Sequence, residues 1–253
     1  MYIPKIMVAQ IHKVTEDNIK NDEYWFPNLH DTRYFFAPTG FGLKQGEGYF
    51  NNLYWIVWQA QWGVTDKLSI GGGTSYFGIP TTLNVKYSET LIENDLNFSA
   101  GWFWIGSLFW DTGDRTFVNM PFGLITKGSK ENNFTLGFGY NFADNWVNNN
   151  RHLEYNDNGN YEWIEDPVKA SQRITVNAGA TFRASRRFSF IAEAWLFNPR
   201  DPTLLGGPGI RYFRKINRVT AKNGAGAKTF DFQLLMSPEW DGIIPMIGAS
   251  QKF

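Results

Sequence analysis

The chain has no cysteine, only three histidines among 253 residues, and no surplus of charge, because 24 basic residues balance 24 acidic ones. The first absence excludes a disulfide scaffold and thiolate metal sites. It leaves the compartment open, since exported bacterial proteins also do without cysteine. The charge balance removes the basic footprint that phosphate binding needs, so no nucleic-acid partner is expected. There is also no run near the 18 or so uninterrupted apolar residues of a membrane-spanning helix. A transmembrane barrel passes that filter, because its strands alternate and a hydropathy average hides them.

What the chain has in plenty is aromatic: 11 Trp, 11 Tyr and 22 Phe, together with 25 Gly. That content is far above a disordered chain's and suits a single all-β unit. From about residue 32 the dominant signal is alternation with period two. Phe134, Leu136, Phe138, Tyr140 and Phe142 share one face, against Thr135, Gly137, Gly139 and Asn141. Ile174, Val176, Ala178, Ala180 and Phe182 repeat the pattern against Arg173, Thr175, Asn177, Gly179, Thr181 and Arg183. Further apolar rows are Leu83, Val85, Tyr87 and Leu91; Leu96, Phe98, Ala100, Trp102 and Trp104; Val118, Met120, Phe122 and Leu124; and Phe230, Phe232, Leu234 and Met236. All are expected to face outward.

Short polar joints at 63–67, 92–95, 127–132 and 183–187, with a longer one at 216–228, alternate with joints that include 108–116, 143–170 and 198–207. Outer-membrane barrels carry short turns on the periplasmic side and longer loops outside. The expected fold is therefore all-β, an antiparallel transmembrane outer-membrane β-barrel of about twelve strands over residues 32–253. The strands are predicted near 32–40, 47–62, 68–78, 82–91, 96–107, 117–126, 133–142, 171–182, 188–198, 208–215, 229–236 and 243–253. An even count returns both termini to the periplasm. Residues 1–31 do not alternate cleanly and are expected to form a periplasmic or luminal extension. Residues 4–9 are too short an apolar stretch for a secretory signal, so the sequence reads as a mature or truncated chain.

Aromatic rings cap the outward rows, with Phe50, Tyr54, Trp58 and Trp62 in one run, as a lipid-facing girdle requires. Phe253 ends an amphipathic strand, IIPMIGASQKF, and resembles the signal by which outer-membrane barrels are recognised for insertion; Gln251 departs from that pattern. The run NLHDTRYFFAPTGFGLKQGEGYFNNLYWIVWQAQWGVTDKLSIGGGTSYFGIP at 28–80, and the ending IPMIGASQKF, resemble a group of uncharacterised outer-membrane barrel proteins of the Bacteroidota. The resemblance implies fold and location; it brings no catalytic residues.

The residues themselves offer little catalysis. His12, His30 and His152 lie outside the predicted strands, and none has an evident nucleophile and orienting acid beside it. The protein is not expected to be an enzyme. Lys86, Arg173, Asn177, Glu193, Arg211 and Asp231 are expected to face the lumen, with Asn84 and Gln233, and with Trp55 and Trp195 narrowing the space. Mixed charges in a narrow lumen either pair and block it or line a path for a polar solute. Glu154, Asn156, Asn158, Gly159, Asn160, Glu162 and Glu165 match the spacing of a calcium loop except for Glu at its first position, which makes Ca2+ the one cofactor suggested. The functional expectation is a structural or accessory subunit of a cell-envelope assembly, with outer-membrane lipid and other envelope proteins as partners. The alternative is a narrow pore or transporter for small polar solutes.

Overall fold

In a computed structural model, the residues described are 19–20, 22–107, 116–143, 151–155, 161–165, 173–198, 202–214, 227–239 and 241–253. A minimal hairpin of β1 (Ile19–Lys20) and β2 (Glu23–Tyr24) comes first. Seven strands follow: β3 (Gly48–Leu53), β4 (Val57–Gly63), β5 (Leu68–Ser75), β6 (Thr81–Ile92), β7 (Leu96–Gly106), β8 (Thr116–Gly128) and β9 (Asn132–Tyr140). A separate hairpin of β10 (Arg151–Tyr155) and β11 (Tyr161–Glu165) is inserted before β12 (Ile174–Arg183), β13 (Phe188–Phe197), β14 (Thr203–Arg214), β15 (Lys228–Leu235) and β16 (Ile244–Lys252). β3–β9 and β12–β16 close into one antiparallel barrel of twelve strands. The seam joins β16 to β3, from Gly248 opposite Leu53 to Lys252 opposite Tyr49.

The alternation dictates the wall. Phe134, Leu136 and Phe138 of β9 are exposed, while Asn133 and Thr135 between them are buried. Neighbouring strands continue the same outer surface with Ile70, Leu83, Val85, Ile125, Phe182, Phe190, Phe232 and Ile247. A belt of this extent exceeds what a soluble monomer leaves in water. It is the outer face of a membrane-spanning barrel, where closure satisfies every strand edge within hydrocarbon. Phe253 completes the seam: its backbone exchanges bonds of 3.0 and 2.8 Å with Gly48, and its ring lies 5.7 Å from that of Trp62. A side chain at Gly48 would meet the Phe253 ring, so glycine there lets the chain end close the barrel.

The strand count agrees with expectation, but two offsetting differences lie beneath it. Residues 32–40 are not in the wall, which begins at Gly48 rather than near residue 32. The run 47–62, expected as one strand, is two, β3 and β4, folded back at Tyr54 and Trp55 with φ of 51° and 62°. Trp55 lies at that hairpin tip, 67% exposed, and does not narrow the lumen. A third difference concerns β8. Val118, Met120 and Leu124, expected outward, are buried inside, whereas Ile125 is exposed outside.

The connections between β4 and β5, β6 and β7, β8 and β9, and β12 and β13 fall where the short joints were expected. They share one end of the barrel with the link from β14 to β15 and with Phe253; this is called the turn end below, and the opposite one the loop end.

Leu136 stands midway along β9 on the outer wall. Leu136→Arg is expected to destabilise the barrel by about 2–4 kcal/mol, read as a shift in its denaturant midpoint in lipid. An unchanged midpoint would contradict the assigned face.

Candidate functional site

Inside the barrel the inward rows change character along their length. β13 runs Ser189, Ile191, Glu193, Trp195, Phe197 from the turn end to the loop end, and β15 runs Thr229, Asp231, Gln233, Leu235. β7 passes from Asn97 and Ser99 to Phe103 and Ile105, and β8 from Thr126 to Leu124, Phe122, Met120 and Val118. The turn half of the lumen is mostly polar or charged, with Ile191 and Leu124 as exceptions; much of the loop half is apolar.

The chain fills the polar half with its own residues 26–47. Residues 32–39 fold back on themselves, with Thr39 N donating to Thr32 O at 3.0 Å, Tyr34 N donating to Ala37 O at 2.8 Å, and Arg33 bridged to Pro38. This narrow hairpin stands in the lumen as a plug. Its apolar side, Tyr34, Phe35 and Ala37, packs on Ile191 and Trp195. Tyr34 fits because Gly179 faces it: a Cβ there would sit 2.3 Å from the ring.

The luminal charges converge on this plug. Arg211 grips Asp231 with two bonds of 2.9 Å and donates to the carbonyls of His30 and Tyr34. Arg33 meets the same carboxylate at 3.3 Å and also donates to the Ser250 hydroxyl. Glu193 accepts the N–H groups of Phe35, Phe36 and Ala37, each at 3.1 Å. Lys86 donates to the carbonyls of Phe41, Thr39 and Thr32 at 2.8, 3.1 and 3.4 Å. A buried charge is tolerable only when paired or fully hydrogen-bonded. Here the wall supplies the charges and the plug supplies most of their partners.

At the turn end the root of the plug is tied to the connections. Asn28 N donates to Glu131 at 2.6 Å, Lys130 pairs with Asp31 at 2.7 Å, and the Arg183 guanidinium lies 3.7 Å from the Phe213 ring centre. The second ring over that guanidinium, at 4.8 Å, is Phe26. His30 Nε2 lies 3.0 Å from Ala227 O and must donate to it, since a carbonyl only accepts. Burial, reinforced by Arg211 and Arg33, holds the His30 imidazole well below its ordinary value of 6.5.

Beside and beyond the plug runs a cavity of about 460 Å3, from Tyr49, Gln61, Ser69 and Lys86 in the turn half to Leu53, Phe103 and Phe197 in the loop half. Phe35 and Phe36 of the plug help to floor it. Its walls include Leu53, Phe103, Met120, Phe122, Trp195 and Phe197, with Asn84, Thr175 and Asn177 as a polar margin. Its size falls in the ordinary range of small-molecule pockets, about 300–1,000 Å3, and its mixture of apolar walls and a few polar groups is typical of them.

The structure thus brings together Lys86, Glu193, Arg211 and Asp231 around the plug, and sets Asn177 at the cavity. Arg173 sits just before β12 at the loop end, where it donates to Asn141 O at 3.2 Å. Arg33, Tyr34 and the apolar inner row of β8 were not anticipated as site residues. Of the calcium-loop positions, Glu154, Glu162 and Glu165 belong to the antiparallel β10–β11 hairpin, with Glu154 opposite Glu162 and Glu165 opposite Arg151. Asn156, Asn158, Gly159 and Asn160 lie outside the described residues, as does His12, and His152 falls on β10.

No family model matches the chain, and no curated protein matches it. Among solved structures, a protein from work on the in-meso crystallization of membrane proteins is similar at a TM-score of 0.48 and 7% identity, over 82% of this chain and 83% of that one. The Ralstonia pickettii toluene transporter TbuX is similar at a TM-score of 0.42 and 11% identity, over 90% of this chain and 74% of its own. Likenesses this distant leave function to be argued from the lumen itself.

Asp231→Asn would strand Arg33 and Arg211 without their shared counter-charge and is expected to weaken plug seating by about 3–5 kcal/mol. Faster amide exchange at residues 33–37, with the barrel strands unchanged, is the expected readout; equal protection in both proteins would refute it. His30 adds a pH dependence. Its depressed value means the seated plug excludes a proton that the released plug binds, so seating is favoured above pH 6.5 and loses stability as pH falls below it. Protection of the amides at residues 28–34, taken relative to the intrinsic exchange rate at each pH, should fall on acidification, and His30→Asn should flatten that dependence.

Proposed function

We propose that the protein is an outer-membrane barrel that admits a small, largely apolar molecule into its lumen from the loop end, while residues 26–47 close the turn end. The observation that carries this reading is a lumen divided between the plug, held by charged inward residues, and a cavity whose loop-half walls are largely apolar. A barrel that only scaffolds other proteins needs no such division. The accessory-subunit role rested on a lumen without room, and the cavity provides room. The polar-pore alternative is disfavoured by the plug and by the apolar walls of the space beyond it. Contacts with other envelope proteins through the loops remain compatible with the proposal. His30 is occupied in a bond to Ala227, which favours binding or passage over catalysis.

Outer-membrane residence, with the turn end and Phe253 in the periplasm, is part of the same reading. It is supported by the closed wall, the apolar belt and the clustering of short connections at one end. The plug would then sit on the periplasmic side, and cargo would meet the cavity first.

Planar-bilayer recording checks the closed end. The full chain should give no large stable channel, whereas a variant lacking residues 1–47 should pass ions. Saturable binding of a neutral naphthalene fluorophore to the full chain, lost on Met120→Arg, checks the cavity. A large steady conductance from the full chain, or failure of any apolar probe to bind, would overturn the proposal.

A further inference from the structure

Two residues of the cavity wall carry a buried nitrogen without a hydrogen-bond partner, Arg33 at Nε and Asn177 at Nδ2, and of the two only Asn177 is uncharged. Asn177 is 7% exposed, lines the cavity, and its side-chain Nδ2 has no hydrogen-bond partner. A buried donor left unmet is costly, and native interiors leave few of them. The local sequence makes a place for this amide. Asn177 stands opposite Gly137 on β9 and opposite Trp195 on β13. A Cβ at residue 137 would lie 2.0 Å from the Asn177 Oδ1, so glycine there leaves the amide space to sit over the strand.

Apart from the Arg33 Nε, the charged groups around the cavity are already committed. Lys86 spends its three donors on plug carbonyls, Arg33 faces Asp231, and Glu193 takes three plug N–H groups. A charged ligand entering this space would lose its hydration without gaining a counter-ion. The remaining surface is mostly apolar, with Phe103, Met120, Phe122 and Trp195 among its walls.

From this arrangement we infer that the cavity selects an uncharged, mainly apolar molecule bearing a hydrogen-bond acceptor, a carbonyl or similar oxygen, which receives the Asn177 amide. This specificity rests on the proposed luminal binding role and deepens it. Asn177 fixes the orientation of the ligand, and the aromatic and methionine walls supply its affinity.

The test uses the full chain in nanodiscs and two matched probes, 6-propionyl-2-(dimethylamino)naphthalene and its carbonyl-free 6-propyl counterpart. Emission of the ketone shifts to the red when its oxygen accepts a hydrogen bond. Wild-type protein is expected to bind both, and to shift the ketone. Asn177→Leu should weaken ketone binding about three- to tenfold, abolish the shift, and leave the 6-propyl probe unaffected. Asn177→Gln, which keeps an amide, should restore part of the shift; circular dichroism establishes that each variant is folded. If both probes bind wild type and Asn177→Leu alike, the inference is wrong while the luminal binding role stands. If neither binds, both fall. Tighter binding of the carboxylate 6-(dimethylamino)-2-naphthoate than of the ketone would also overturn it.

Discussion

The structure turns on a requirement that charges removed from water must find partners. Lys86, Glu193, Arg211 and Asp231 project inward from four different strands of a closed wall. Only Arg211 and Asp231 satisfy one another directly across the wall. Glu193 and Lys86 rely on backbone groups, and a β-barrel wall has already spent its own in the strand ladders. The partners therefore have to come from a segment outside the sheet whose N–H and C=O groups are unpaired. Residues 32–41 are such a segment, and the tight turn at Tyr34–Ala37 aims three N–H groups at one carboxylate.

This dependence is mutual. The plug is too short to bury a core of its own, so its order comes from the wall that surrounds it. Arg33 lies between Asp231 and Ser250, strands β15 and β16, while Tyr34 reaches Asn133 and Thr135 on β9. Gly40 is held on Thr126 of β8 and Ser99 of β7. A small hairpin is thus pinned to opposite sides of the barrel. Breaking one link strands groups on both partners, so the links act together rather than one at a time.

Much of this frame was legible in the sequence. Alternation on β9, β12, β13 and β15 placed Asn177, Glu193 and Asp231 on the inner face, because their opposite rows were consistently apolar. Two features defeated the same reasoning. On β8 the inward row Val118, Met120, Phe122, Leu124 is more apolar than the outward row with Asn119 and Pro121, so the pattern was assigned to the wrong side. Period-two hydrophobicity marks a buried row, and a cavity wall and a lipid wall are both apolar. Residues 32–40 also look like a strand, but they fold as a tight turn closed by one bridge, Arg33 to Pro38. Nothing in their own pattern distinguishes pairing in the wall from standing inside it; the distinction lies in the glycines opposite, such as Gly179 and Gly209, which clear space for Tyr34 and Phe35.

The apolar row of β8 and the plug therefore belong to one design problem. A twelve-stranded barrel has more interior than its own side chains fill, and the chain closes only part of that space with its N-terminal segment. Where the plug lies, inward residues are polar because the plug offers bonds. Beyond its tip the plug offers no backbone, and Phe103, Met120, Phe122 and Phe197 make up much of the inward surface beside Asn84, Thr175 and Asn177. A lumen shaped only by the need to stay shut could have been filled there with larger side chains. Instead Gly137 and Gly139 hold the β9 wall back beside Asn177 and Met120. Glycine on a strand interior weakens the strand and needs a reason to be there. Keeping a cavity open beside an unpaired amide supplies one.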